Sequence, residues 1–125
     1  MTINTLLPNP PAPDDPLKKS DPKKYYQDLF SSLEQAYFAA TTTEAKLKIQ
    51  IARDDAYTIL TTITQAQITQ DTTGLDAIQD TVTKNNAALE ALQTEIGGLV
   101  NDIQVAADVE IAIANVLSLA GELAV

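Results

Sequence analysis

The chain is predicted to be all-α, a long antiparallel helical hairpin of coiled-coil character, on three observations. Residues 23–73 contain no Gly and no Pro. Apolar side chains recur in three- and four-residue steps in both halves of the chain, the spacing that lines one face of a helix. A single strong turn, QDTTGLDA at 70–77, separates segments 22–70 and 74–123, which are 49 and 50 residues long. The alternative on the same observations is a compact three- or four-helix up-down bundle, with the chain broken at 41–43, at 97–98, or at both.

The first twenty residues stand apart. LLPNPPAPDDP holds five of the six prolines, which remove amide donors and favour extended backbone. Residues 1–20 therefore form an arm outside a single helical domain at 21–125. A loose tail is the plain reading of this stretch, as termini usually behave; a docking arm and an uncleaved export signal are the sharper ones.

The first helix opens at SDPKKYYQDL. Asp21 is placed to cap free amides, and Pro22 suits the first helical position. Tyr26, Phe30, Leu33 and Tyr37 recur as an apolar face, and with Phe38 they make an aromatic packing surface. The seam resumes at Ala45, Ile49, Ala52, Ala56, Ile59, Ile63 and Ala66 in steps of four and three. Thr41–Thr43 is the weakest stretch, since Thr is a poor helix former. At the turn, Gly74 is suited to a left-handed conformation, with Asp71 and its threonines supporting the reversal.

The second half carries Leu75, Ile78, Val82, Asn85, Leu89, Leu92, Ile96, Leu99, Ile103 and Ala106 in alternating steps of three and four. The seam passes Gly97 and Gly98 in phase, so one helix is expected from about Gly74 to about Leu123. Two interior glycines cost roughly 2 kcal/mol relative to alanines. That cost points to a hinge or to close approach of a neighbouring backbone. Asn85 is the polar exception; it either fixes register or lies close enough to the turn to meet solvent, and its nearness to the turn favours solvent.

Residues facing each other across the hairpin have numbers summing to about 144. Arg53 then lies near Glu90, Lys48 near Glu95, and Lys23 and Lys24 near Glu122.

In residues 103–125, sixteen of twenty-three positions are apolar, more than the roughly three in seven that one buried face needs. A helix apolar on most sides must be covered on most sides. With one partner helix per arm, Val105, Val109, Ile111, Ile113, Val116, Leu117, Leu119 and Leu123 become the expected interaction surface.

Composition narrows the function. There is no Cys and no His, which removes disulfide, thiolate and imidazole chemistry. Within residues 21–125, Asp54–Asp55 and Asp108 with Glu110 are the tight acidic pairs, and neighbours one or two apart on a helix do not face each other. No catalytic residue, cofactor or metal site is expected. The net charge of −9, with Lys84 the one basic residue after Arg53, disfavours nucleic acid and anionic membranes. The first expectation is a non-catalytic structural or interaction protein that self-associates, or meets another helical protein, through its apolar C-terminal helix. An exported membrane-active or secretion-apparatus component is the second. A small acidic inhibitor or chaperone of a basic partner is the third. No cleaved signal peptide is visible, so the compartment is either the cytoplasm or one reached by export without cleavage.

Overall fold

The computed structural model describes residues 22–71 and 73–119. The Pro-rich arm, the Asp21 cap, Glu122 and Leu123 lie outside them. Within them the chain is all-α, without a strand. Helices α1 (Pro22–Ala39), α2 (Thr43–Thr69), α3 (Thr73–Ala77), α4 (Gln79–Leu99) and α5 (Ile103–Leu117) follow one another.

Of the two expected forms, the chain takes the bundle. The hairpin is present but folded in half, because each arm breaks. The first arm breaks at 40–42 and the second at 100–102. Helix α1 runs back along α2, placing the Phe30 and Tyr57 rings 5.5 Å apart and the Lys46 ammonium 2.9 Å from the Tyr37 carbonyl. Helix α5 runs back along α4, where the Gln93 amide donates to the Glu110 carbonyl at 3.2 Å. The four long helices form a ring in which α1 packs on α2 and α5, and α4 packs on the same two; short α3 bridges α2 and α4.

The phase of the apolar residues explains the breaks. In α1 the fully buried set is Tyr26, Leu29, Leu33 and Ala36. In α2 it begins at Ala45 and Ile49. Nine residues separate Ala36 from Ala45, about half a turn out of phase at roughly 100° per residue. A straight helix would bury one set and expose the other; folding back turns both inward. Between Ile96 and Ile113 the offset is about 100° by the same count, and the chain breaks there too. Ile103, placed in the seam by the sequence pattern, is 90% exposed at the start of α5.

Caps fix where each helix restarts. The Thr42 hydroxyl accepts from the Ala45 amide at 3.0 Å. The Asp102 carboxylate accepts from the amides of Gln104 at 2.9 Å and Val105 at 3.2 Å. Each satisfies amide donors that a helix start leaves free. Gly97 and Gly98 do not form the break. They lie in the last turn of α4 with helical backbone, and a Cβ built on either meets nothing within 4 Å. Close approach of a neighbour is therefore not the reason for them.

At the central turn the left-handed residue is Gln70, with φ 60°, and not Gly74, which belongs to α3. The Thr73 hydroxyl and its amide, at 3.0 Å, both donate to the Asp71 carboxylate. These bonds hold the Asp71 carboxyl below its ordinary range, the hydroxyl contributing most.

Asn85 is fully buried; nearness to the turn does not bring solvent to it. Its amide nitrogen donates to the Ala52 carbonyl at 3.4 Å, a long bond between α4 and α2. Its Oδ1 has no hydrogen-bond partner among the described residues.

Candidate interaction surface

The expected surface on the C-terminal helix is largely interior. Val109 and Ile113 are 0% exposed, Val116 1% and Leu119 3%. Val105 and Leu117 are half-buried against the same core. The reason is the fold-back: α5 packs on α1 as well as on α4, and two neighbours cover faces that one could not. Of the expected set, Ile111 is exposed, at 61%, along a groove shared with Asp28, Ser31, Ser32 and Gln35 of α1.

The aromatic face is also redistributed. Tyr26 is buried, and Phe30 and Tyr37 are half-buried. Phe38 points outward, 74% exposed, its ring edge-on to Tyr37 at 5.6 Å. Two residues on from Ala36, it lies about 200° around the helix from that buried position. Tyr37 is flanked by cations, with the Lys46 ammonium 4.8 Å and the Arg53 guanidinium 5.2 Å from its ring. Arg53 also contacts Asp54 at 3.4 Å, and these partners stand in place of the expected Glu90.

The paired numbering holds where α2 faces α4. Lys48 and Glu95 meet at 3.4 Å, both about half exposed. They border a shallow groove of about 290 Å³ lined by Ile51, Ala88, Ala91 and Leu92. The local sequence builds it simply. Val82, Asn85, Leu89, Leu92 and Ile96 turn α4 to the core. That orientation sets Lys84, Ala88, Ala91 and Glu95 in a row along one flank, at spacings of four, three and four. On α2, Leu47 and Ile51 are one turn apart and off the core face, 56% and 47% exposed.

This flank is apolar at its centre and charged at its ends. Lys84 is exposed and makes no ion pair with any described residue. Nothing in the sequence pattern marked these residues, because flank positions resemble an ordinary solvated face until the neighbouring helix is known. The available signal was the pair Leu47–Ile51, two large apolar residues four apart and outside the seam.

Among the described residues no helix is long and apolar enough to cross a membrane. No protein-family model, no curated protein and no solved structure matches the chain.

Proposed function

We propose that this protein is a non-catalytic helical interaction protein that acts by associating with a second copy of itself, using the flank of α2 and α4. The observation that carries this reading is the open groove of Ile51, Ala88, Ala91 and Leu92 between α2 and α4, with Leu47 exposed one turn from Ile51. Large apolar side chains grouped on a surface mark interaction sites more often than singly scattered ones do. The sequence contributes the rest of the support: without His or Cys, the usual general bases and nucleophiles are missing.

Relative to the sequence expectation, the contact moves from α5 to α2 and α4. Light scattering across a concentration series tests it. Self-association at tens of micromolar, weakened by Ile51→Asp and unchanged by Ile111→Asp, supports the flank. Weakening by Ile111→Asp alone would return the contact to α5. A monomer at every concentration would remove self-association.

A further inference from the structure

We infer that two copies pair through α4, antiparallel, with Lys84 of one copy opposite Glu95 of the other. The inference rests on the self-association reading and specifies its geometry. It comes from the order of residues along the α4 flank: a cation, two alanines, an anion. Reversing this row end for end about its midpoint places Lys84 against Glu95, Ala88 against Ala91, and Glu95 against Lys84. The row is therefore complementary to its own antiparallel copy, which is what a two-fold symmetric interface requires. A parallel copy would instead set Lys84 against Lys84 and Glu95 against Glu95, and like charges repel.

The side chains suit the arrangement. Alanines at the centre let two helices approach closely. Ile51 and Leu92 line the same groove and supply apolar area beside the contact. Lys84 has no ion pair with a described residue, so a second copy gives it one. Glu95 keeps Lys48 at 3.4 Å within its own chain. In the pair it lies between that lysine and Lys84 of the other copy, one anion between two cations.

The same symmetry provides the test. Lys84→Glu makes both ends of the row negative, and Glu95→Lys makes both ends positive. Each variant alone places two like-charged contacts in its homodimer and is expected to weaken association by about tenfold. Mixed in equal amounts, the two variants restore both opposite-charge contacts. The mixture is then expected to form a heterodimer within about threefold of the unaltered protein. Sedimentation analysis of each variant and of the mixture reads this out, with circular dichroism melts showing that both variants stay folded. A dimer indifferent to both substitutions overturns the α4 pairing and leaves self-association standing. Two weakened variants that fail to rescue each other overturn the antiparallel register. A monomeric unaltered protein overturns both readings together.

Discussion

Ala40 and Val100 pair as an isolated antiparallel bridge between the two breaks of the chain. The Thr41 amide donates to the Leu99 carbonyl at 3.1 Å, and the Asn101 amide donates to the Ala39 carbonyl at 3.2 Å. Each bridge residue is thirty positions from Gln70, the left-handed residue of the central turn. The two arms thus fold at the same level. Backbone groups that each break frees from helical bonding satisfy one another, and the reversal of one arm is tied to that of the other.

Asp102 anchors the second break, so Asp102→Ala should cost about 1 kcal/mol of unfolding free energy. Asp102→Asn should cost much less, because Asn caps nearly as well. Urea unfolding of both variants checks this; equal losses would mean that the carboxylate charge, and not the cap, matters.

Gly97 and Gly98 are helical, exposed and surrounded by open space. Gly97→Ala and Gly98→Ala should each raise stability by about 0.5–1 kcal/mol. Denaturant midpoints read this directly. A loss at either position would contradict the open space around the added methyl.

Inside the core, Asn85 Oδ1 has no hydrogen-bond partner among the described residues. Asn85→Leu keeps the branching of the side chain and removes the orphaned acceptor, so stability should rise by about 1 kcal/mol or more. A lower melting temperature would show that the polar group is satisfied by a bound water and that the site is fully packed.

Tyr26 is 1% exposed, and burial pushes its phenol from 10.0 up to about 12. The folded state holds the proton more tightly than the unfolded chain does. This contribution to stability is fully present below pH 10 and is lost as pH rises through 12, by up to about 3 kcal/mol at 1.36 kcal/mol per unit. Tyr26→Phe should flatten this part of the alkaline unfolding curve. An unchanged slope between the two values would contradict it.

Much of the fold was legible in the sequence. All seven residues of the α2 seam, from Ala45 to Ala66, are buried as their spacing required. The Lys48–Glu95 pair follows from the paired numbering alone. The breaks were less visible because a heptad reading accepts a step of three or four at every gap. Ile96, Leu99, Ile103 and Ala106 satisfy it while the chain reverses between them. The sign was the repeated step of three through Ile103, Ala106 and Val109, together with Asp102 in cap position. The burial of the C-terminal helix was least legible, since whether Val109 and Ile113 are covered by their own chain depends on α1 folding back.

The fold-back itself is most directly measured as a distance. The chain has no native cysteine, so Phe30→Cys with Tyr57→Cys gives one unique pair of spin-label sites. Double electron–electron resonance on the diluted protein should return a short distance, below about 25 Å with the labels included, since the native rings lie 5.5 Å apart. An unbroken first helix would separate these positions by roughly 40 Å at 1.5 Å rise per residue, and a distribution centred there would contradict the folded-in-half bundle.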